Sequence, residues 1–233
     1  DDDDRSDRIP ADRVVRSVGQ IYHSEGACSA TVITSESEQL ALTAAHCVYI
    51  PEQSEIGLPA NATPGWVEDV KFVPGRSGDD APDGIWWVSD MWVDQRWQDA
   101  GKAQYDIAVL RIAKNNNKTI QDVVGSQGYA FQAGDQNELM VLGYPAEPPF
   151  DGTAQRRCLA TKTVEVRDGF YDLPCSLNGG SSGGSFIADF NDKKGIGSVV
   201  AVTSFRTDDG KNKRLYGVPL GRFVSDLINE ADA

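Results

Sequence analysis

The sequence predicts an all-β protein, and three observations support that prediction. Short apolar stretches rich in Val, Ile, Phe and Trp recur from Val14 onward. Gly, Pro, Asn and Asp separate these stretches, which is typical of turns between strands. Helical periodicity is rare along the chain, so we expect about eleven short strands arranged as barrels or sandwiches.

Each predicted strand is an apolar stretch bounded by turn-forming residues. In chain order the predicted strands are Val14–Ile21, Cys28–Thr34, Leu40–Ala45, Val67–Val73, Ile85–Val93, Ile107–Ile112, Leu139–Gly143, Leu159–Val166, Ser185–Phe190, Ser198–Phe205 and Arg214–Val218. No repeat of fixed period is visible among them, so the pattern does not indicate a repeat architecture.

The last segment of the chain is predicted to be an amphipathic helix that docks on the strands. Its apolar residues recur at i, i+3, i+4, i+7 and i+8 and form one stripe, made by Leu220, Phe223, Val224, Leu227 and Ile228. The charged residues Arg222, Asp226 and Glu230 lie off that stripe. Pro219 suits the first turn of such a helix.

Polar stretches divide the chain into a tail and two subdomains. Residues 1–13 contain six Asp and three Arg, and we expect a solvated tail or the remnant of a cleaved pro-segment. The polar run from Lys114 to Gly134 separates two groups of strands of similar size. We therefore expect two β subdomains, residues 14–125 and 126–233, that share one cleft.

Composition and charge exclude several classes of function. The chain has 233 residues, of which 40% are hydrophobic, enough to bury a core. Its 35 acidic and 22 basic residues give a net charge of −13, which repels nucleic acids and anionic membrane surfaces. No apolar run approaches the roughly 18 residues that a membrane span needs. We expect neither a nucleic-acid partner nor a membrane partner.

The cysteines indicate disulfides rather than a metal site. Cys28, Cys47, Cys158 and Cys175 form two groups, 19 and 17 residues apart, and no C-x-x-C or H-x-x-x-H spacing occurs. Two local disulfides formed in an oxidising compartment are the simplest interpretation, and they indicate a secreted protein. Spacing alone leaves three connectivities open. We expect no metal and no cofactor.

Three short segments carry groups that are suited to catalysis. His46 follows an apolar strand in Leu42–Cys47, Asp106 precedes the apolar stretch Ile107–Leu110, and Ser182 lies in a Gly/Ser cluster. Taken singly, each has a structural explanation: a buried histidine, a strand-end carboxylate and a flexible loop. Their joint occurrence favours a catalytic function over these structural explanations, because a serine nucleophile needs a base and an acid that orients that base.

The order of these residues separates two kinds of hydrolase. Glycines beside Ser182 let the backbone approach a substrate and turn N–H groups toward it. Gly180–Gly184 also matches the G-x-S-x-G elbow of α/β-hydrolases, but that fold places its histidine after the serine. His23 and His46 both precede Ser182, so the elbow interpretation is excluded.

The order His46, Asp106, Ser182 resembles that of the chymotrypsin-like, or trypsin-like, serine peptidases. The motifs T-A-A-H-C at 43–47, D-I-A-V-L at 106–110 and G-x-S-G-G at 180–184 carry the resemblance. It spans residues 28 to about 219. Gly143-Tyr144-Pro145 resembles the secreted bacterial branch, near the glutamyl endopeptidases. The resemblance implies two six-stranded antiparallel β-barrels with a C-terminal α-helix.

The same resemblance implies specific roles for residues of this chain. His46 would take the proton of Ser182, Asp106 would hold the imidazolium, and the backbone N–H groups of Gly180 and Ser182 would form the oxyanion hole. The residues implied for the substrate pocket are Ser176, Ser204, Arg206 and Gly217. The implied disulfides are Cys28–Cys47, which brackets the histidine, and Cys158–Cys175.

Some positions depart from the family pattern. Ser181 stands where the animal enzymes have the aspartate that pairs with a new N-terminus, and Ser185 stands where the best-known motif has proline. Activation by insertion of the N-terminus is therefore not expected.

The expected pocket has no carboxylate. Ser176, six residues before the nucleophile, brings no charge to the pocket base, so cleavage after Lys or Arg is expected to be poor. An apolar or aromatic side chain and an acidic one remain as alternatives before the scissile bond. The histidine that glutamyl endopeptidases use to read an acidic side chain corresponds to Thr203 here. Arg206 is a candidate to replace it or a residue that faces solvent.

Other candidate residues are interpreted as structural. His23 is expected to be structural rather than catalytic. The tryptophans are expected to pack in the core or on strand faces rather than to stack on sugars or bases: Trp86, Trp87, Trp92 and Trp97. The segment 78–84 lacks the ligand spacing of an EF-hand loop and is expected to be a solvated acidic turn, with Asp79, Asp80 and Asp83.

The sequence thus predicts a secreted, monomeric serine endopeptidase that acts on proteins or peptides. A catalytically silent homologue that works as a binding module is the main alternative, and an esterase on the same scaffold is the other. Silent homologues usually lose a triad residue, whereas this chain keeps all three.

Overall fold

The computed structural model describes residues 6–57 and 61–233. Within these residues the strands are, in chain order, β1 (Asp7–Arg8), β2 (Val18–His23), β3 (Gly26–Val32), β4 (Leu40–Thr43), β5 (Tyr49–Ile50), β6 (Gly65–Trp66), β7 (Lys71–Pro74), β8 (Trp86–Val93), β9 (Ala108–Ile112), β10 (Gly128–Tyr129), β11 (Leu139–Gly143), β12 (Arg156–Ala160), β13 (Val166–Arg167), β14 (Phe170–Pro174), β15 (Ser185–Asn191), β16 (Ile196–Asp208) and β17 (Lys213–Pro219). The α-helices are α1 (Gln95–Ala100), α2 (Ile120–Val124) and α3 (Arg222–Asp232), and the 3-10 turns are Ala11–Arg13, Ala45–Cys47 and Ala103–Tyr105. The prediction of an all-β protein with a C-terminal helix is confirmed.

The first group of strands forms a closed barrel. Its strand order is β2-β3-β4-β9-β8-β7, and every neighbouring pair is antiparallel. The strands β4 and β9 are almost wholly apolar and buried, as expected for strands that face a core on one side and packed segments on the other. Their ends carry the segments that contain His46 and Asp106.

The second group forms a sheet in the order β12-β11-β15-β16-β17-β14, extended by β1 at one end and β13 at the other. Cys158 on β12 and Cys175, which follows β14, are disulfide-bonded, with Cα atoms 5.8 Å apart. The disulfide therefore joins the two ends of the six-stranded path. A separate apolar core fills this half, with Val141, Tyr171 and Phe186 among its buried side chains.

Helix α3 docks on the first barrel through its apolar stripe. Val224 and Ala231 are fully buried and Leu227 and Ile228 are nearly so, and the helix packs against β8 and β9. The prediction that Pro219 lies in the first turn is wrong, because Pro219 ends β17 and the helix begins at Arg222. No helix in the described residues is long and apolar enough to span a membrane.

The structure differs from the sequence prediction in several strands of the second group. The predicted strand Leu159–Val166 is shifted, since β12 ends at Ala160 and β13 begins at Val166. Strand β14 was not predicted. It buries Tyr171 and Leu173 on one face while Asp172 points away, an alternation too short to stand out in the sequence.

Part of the acidic N-terminal segment is a packed element rather than a solvated tail. Strand β1 pairs antiparallel with β12, and Ile9 is buried. The backbone N–H of Ile9 also donates to the carbonyl of Gln155. The available edge of β12 and an apolar residue among the charged ones explain the difference. Residues 1–5 lie outside the described residues.

Candidate active site

His46 is carried by the 3-10 turn that follows β4. The turn includes Cys47, whose disulfide to Cys28 on β3 has Cα atoms 6.2 Å apart. The disulfide pairings implied by the family resemblance are thus the ones present. The indole of the buried Trp97 lies 6.5 Å from the imidazole, centroid to centroid, and its Nε1 donates to the carbonyl of Tyr49. The backbone that holds His46 is therefore fixed from two sides.

Asp106 lies directly behind His46 and is fully buried. It follows the 3-10 turn Ala103–Tyr105, and its backbone N–H donates to the carbonyl of Ala103. One carboxylate oxygen, Oδ2, lies 2.7 Å from His46 Nδ1, and the other accepts the backbone N–H of His46 at 2.8 Å. Ser204 Oγ donates to Oδ2 at 2.5 Å. Three hydrogen bonds to this carboxylate offset the cost of burying it away from water.

The electrostatic surroundings of His46 favour its protonated form. Burial lowers the pKa of His46, but the charge of Asp106 and the hydrogen bond to it outweigh burial and hold the pKa above the ordinary 6.5. The hydrogen bond uses Nδ1, so the other ring nitrogen, Nε2, is the one left for a reacting group. The pair can therefore act as a general base whose conjugate acid is stabilised.

The loop that carries Ser182 is anchored on the first barrel. The carbonyl of Ser182 accepts the backbone N–H of Ser29 at 2.7 Å. Gly183 has a positive φ of 83°, and a Cβ there would lie 2.1 Å from Thr43 Oγ1 and 2.2 Å from the carbonyl oxygen of Ser29. Only glycine allows this approach. The two halves of the molecule therefore meet at the loop that carries Ser182.

Two backbone N–H groups of this loop have no acceptor among residues 6–57 and 61–233. The carbonyl of Gly179 accepts the N–H of Ala146 at 2.6 Å, and the carbonyl of Ser181 accepts the N–H of Gly184 at 2.9 Å. C=O and N–H point in opposite directions across a trans peptide. The N–H groups of Gly180 and Ser182 therefore point away from Ala146 and Gly184, the residues that donate to these two carbonyls. Two oriented donors without partners suit an anionic oxygen.

His46 and Ser182 line one cleft of about 230 Å³. The cleft is also lined by Ile56, Gly57, Asn178, Gly179, Thr203, Ser204, Phe205, Arg206 and Leu215. Of the predicted site residues, the structure brings His46, Ser182, Ser204 and Arg206 to this cleft, with Asp106 buried behind His46.

Two further residues implied for the substrate pocket, Ser176 and Gly217, do not themselves line this cleft, although Gly217 pairs with the cleft residue Thr203. Ser176 Oγ bonds to Ser6 Oγ at 2.8 Å in the packed N-terminal segment, and it does not line the cleft. Gly217 lies over the ring of the buried Phe186, which a Cβ would approach within 2.8 Å.

Arg206 and Ser204 have contacts that the sequence did not indicate. Arg206 is part of the cleft wall, and its Nη2 pairs with Glu147 Oε2 at 2.6 Å. Ser204, expected only as a pocket residue, lines the cleft and also donates to Asp106. Thr203 also lines the cleft, and its buried Oγ1 has no partner within the described residues. The Ser204 contact joins β16 to the first barrel, and the Arg206 pair joins β16 to the segment after β11.

The residues interpreted as structural lie away from the cleft. Nδ1 of His23 accepts the N–H of Glu25, and burial lowers the pKa of His23. Trp86 and Trp97 are buried, whereas Trp87 is half exposed and has Lys71 Nζ 4.6 Å from its ring centroid. In the acidic segment 78–84, Asp83 pairs with Arg16.

Comparisons with known proteins agree with this geometry. The trypsin family model matches residues 10–223. None of the curated proteins matches the chain. Among solved structures, the protease Anisep from Arthrobacter nicotinovorans is 27% identical, with a TM-score of 0.79 over 94% of this chain and 97% of that one.

Two further structures support the fold. The thermostable serine protease AL20 from an extremophilic microorganism is 22% identical, with a TM-score of 0.81 over 96% and 99% of the two chains. A Glu endopeptidase in complex with MPD is 19% identical, with a TM-score of 0.77 over 99% and 98%. The predicted chymotrypsin-like double barrel is confirmed, and the chain belongs to the trypsin family of serine endopeptidases.

Proposed function

We propose that this chain is a secreted, monomeric endopeptidase that cleaves peptide bonds through a His46–Asp106–Ser182 triad and an acyl-enzyme intermediate. The observation that carries the proposal is the buried Asp106 bound to His46 Nδ1, with His46 and Ser182 lining the same cleft. The two disulfides support secretion, because such bonds persist in oxidising compartments.

The residues act in a defined sequence in this proposal. His46 Nε2 takes the proton of Ser182 Oγ as that oxygen attacks the substrate carbonyl carbon. The negative oxygen that forms is bound by the N–H groups of Gly180 and Ser182. His46 then gives its proton to the leaving amine, and the C–N bond breaks. Water, activated by His46 in the same way, hydrolyses the ester on Ser182 and restores the free enzyme.

The side chains of the cleft wall affect which substrate side chain is accepted before the scissile bond. Arg206 is charged and disfavours a Lys or Arg side chain in the same cleft. Phe205 and Leu215 offer apolar surface to an apolar or aromatic side chain. An acidic side chain would instead pair with Arg206. Cleavage after Lys and Arg is therefore expected to be poor, whether the preferred side chain is apolar or acidic.

Labelling with a fluorophosphonate tests the assignment of the nucleophile. We expect one adduct, mapped to the peptide that contains Ser182, and no adduct in Ser182→Ala. Ser181→Ala is the matched control, because Ser181 is the neighbouring serine and its buried hydroxyl has no partner in the described part of the chain. This control should label like the wild type. Labelling that persists in Ser182→Ala would overturn the assignment.

Matched amide and ester substrates separate the peptidase from the alternatives. A peptidase hydrolyses a peptide anilide as well as the corresponding ester, and both activities disappear in Ser182→Ala. Hydrolysis of the ester alone would indicate an esterase. No labelling and no hydrolysis of either would indicate a silent homologue that binds without catalysis.

A further inference from the structure

The side-chain hydroxyl of Ser29 takes no part in the mechanism proposed above, yet it contacts the loop that carries Ser182. Ser29 lies on β3 and is fully buried. Its Oγ donates to the carbonyl of Gly180 at 2.9 Å and accepts the backbone N–H of Tyr144 at 2.8 Å. The hydroxyl is thus both a donor and an acceptor, and it links the segment after β11 to the loop that carries Ser182.

The backbone of Ser29 contacts the same loop at a second place. Its N–H donates to the carbonyl of Ser182 at 2.7 Å, and its own carbonyl accepts from Thr43 Oγ1 at 2.7 Å. Ser29 therefore binds the carbonyls of Gly180 and Ser182, the two residues whose N–H groups are proposed to bind the negative oxygen. Only the bond to Gly180 comes from the side chain, so a substitution can remove that bond and keep the other.

The conformation of Gly180 depends on contacts of this kind. Its φ is +98°, and a Cβ would lie 2.6 Å from the carbonyl oxygen of Tyr144, so glycine is required there. Glycine has no side chain that restricts φ and ψ. The bond from the Ala146 N–H to the Gly179 carbonyl fixes the peptide plane that contains the Gly180 N–H. The bond from Ser29 fixes the next plane, so both dihedral angles of Gly180 are held.

We propose that Ser29 is a positioning residue whose hydroxyl holds Gly180 in the conformation that presents its N–H to the negative oxygen of the reacting substrate. The inference rests on the proposed function. The hydrogen bonds of Asp106 come from His46 and Ser204. Loss of the Ser29 hydroxyl therefore leaves the general base intact and weakens only the binding of the transition state.

The variant Ser29→Ala tests the proposal, because it removes the hydroxyl alone. Complete loss of one donor to the negative oxygen lowers kcat about 10²-fold to 10³-fold. Ser29→Ala loosens such a donor without removing it, so kcat for a peptide anilide should fall about tenfold to hundredfold while KM stays within about twofold. The midpoint of the rising limb of kcat/KM against pH should stay in place, because His46 and Asp106 are unchanged.

Thr31→Val is the matched control. Thr31 lies on the same strand as Ser29 and is also fully buried, and its Oγ1 is hydrogen-bonded to Ser185 Oγ at the start of β15. The substitution removes a buried hydrogen bond between β3 and the second half of the molecule but leaves the Gly180 carbonyl bound. Both variants should lower the unfolding temperature, since each leaves a buried polar group without its partner. Only Ser29→Ala should lower kcat.

A pair of inhibitors separates the positioning of Gly180 from a general structural effect. With a peptidyl trifluoromethyl ketone, Ser182 Oγ bonds to the carbonyl carbon, the Ser182 proton passes to His46 and the carbonyl oxygen becomes negative. The matched peptidyl alcohol binds without forming this adduct. In Ser29→Ala the inhibition constant of the ketone should rise about as much as kcat/KM falls, whereas that of the alcohol should change less than about twofold.

Ser29→Cys serves if the alanine variant unfolds. It replaces the hydroxyl with a weaker donor and should give the same changes at a smaller size. Three results would overturn the inference: an unchanged kcat, equal weakening of the ketone and the alcohol, or equal losses of kcat in Ser29→Ala and Thr31→Val. A wild-type protein that neither cleaves the anilide nor binds the ketone contradicts the proposed function instead.

Discussion

Asp106 is bonded to His46 twice, once through the side chain and once through the backbone. Oδ2 lies 2.7 Å from Nδ1, and Oδ1 accepts the backbone N–H of His46 at 2.8 Å. The second bond fixes the position of the carboxylate, so that the first can fix the orientation and the tautomer of the ring. A substitution that keeps the shape of Asp106 but removes its charge therefore separates the positioning of the side chain from the control of the imidazole orientation and tautomer.

Asp106→Asn should lower kcat about 10⁴-fold, the loss known for the Ser-His-Asp template of this family. The amide can still accept the His46 N–H, so the thermal unfolding temperature should stay close to that of the wild type. Ser204→Ala is the control. It removes one donor to Asp106 but leaves the His46–Asp106 pair, and it should lower kcat by no more than about tenfold. Equal losses in the two variants would contradict this interpretation of the pair.

Activity should rise with pH through the pKa of His46. In the proposed mechanism the neutral imidazole is the base, and Asp106 holds the pKa of His46 above 6.5 against the effect of burial. The rising limb of kcat/KM against pH should therefore have its midpoint above 6.5. In Asp106→Asn only burial remains, so the residual activity should have its midpoint at lower pH. A midpoint that stays in place would show that Asp106 does not set this pKa.

The two disulfides should differ in their effect on catalysis. They close segments of 19 and 17 residues, and the loss of either should destabilise the fold by about 3 kcal/mol. Cys47 adjoins His46, whereas Cys158–Cys175 joins the ends of the second sheet. We expect Cys28→Ala/Cys47→Ala to lower both stability and kcat, and Cys158→Ala/Cys175→Ala to lower stability alone. Thermal unfolding and kcat, measured on both double variants, test the difference.

The sequence indicates the proposed catalytic segments better than it indicates their surroundings. His46, Asp106 and Ser182 each lie in a local motif with glycines, small residues or an adjacent cysteine, so the pattern is visible in the chain itself. Ser204 has no such motif. Its bond to Asp106 joins residues that are 98 positions apart, and only the packing of β16 against the first barrel reveals it. Glu55 likewise accepts hydrogen bonds from Lys102 Nζ and the Ala103 N–H, which lie 47 and 48 positions away in the chain.

Short edge strands leave little trace in the amino-acid sequence. Asp7 and Arg8 read as tail residues because both are charged and exposed, yet their backbone pairs with β12. Backbone pairing leaves no signature in side-chain type when both faces of a strand are solvated. The apolar stretch Leu139–Gly143 predicted β11 correctly, because all five of its residues are buried.

The N-terminal segment should matter for stability and not for activation. Ser181 offers no carboxylate to a terminal amine, so removal of residues 1–5 should leave kcat within about twofold. Removal of residues 1–9 should lower the unfolding temperature, because it deletes β1 and the buried Ile9. Differential scanning calorimetry and kcat on both truncated proteins provide the test. A large fall in kcat for the shorter truncation would show that a particular terminus is needed.

The Arg206–Glu147 pair is expected to control the response of the cleft to an acidic substrate side chain. Both side chains are substantially exposed, at 40% and 54%, and such a pair is worth little on its own. A substrate carboxylate can therefore replace Glu147 as the partner of Arg206. Removing the charge of Glu147 should make Arg206 more available to substrate.

Matched peptides with Phe, Leu, Glu or Arg before the scissile bond test this expectation. Glu147→Gln should raise kcat/KM for the Glu peptide, and Arg206→Ala should lower it below the wild-type value. Both variants should change kcat/KM for the Phe and Leu peptides less than about threefold, since no charge is involved. The Arg peptide should be the poorest substrate of the wild type, because Arg206 repels it and no carboxylate lines the cleft in the described residues. A wild-type preference for the Arg peptide would contradict the placement of Arg206 in this wall. An unchanged kcat/KM for the Glu peptide in both variants would show that the Arg206–Glu147 pair does not face the substrate.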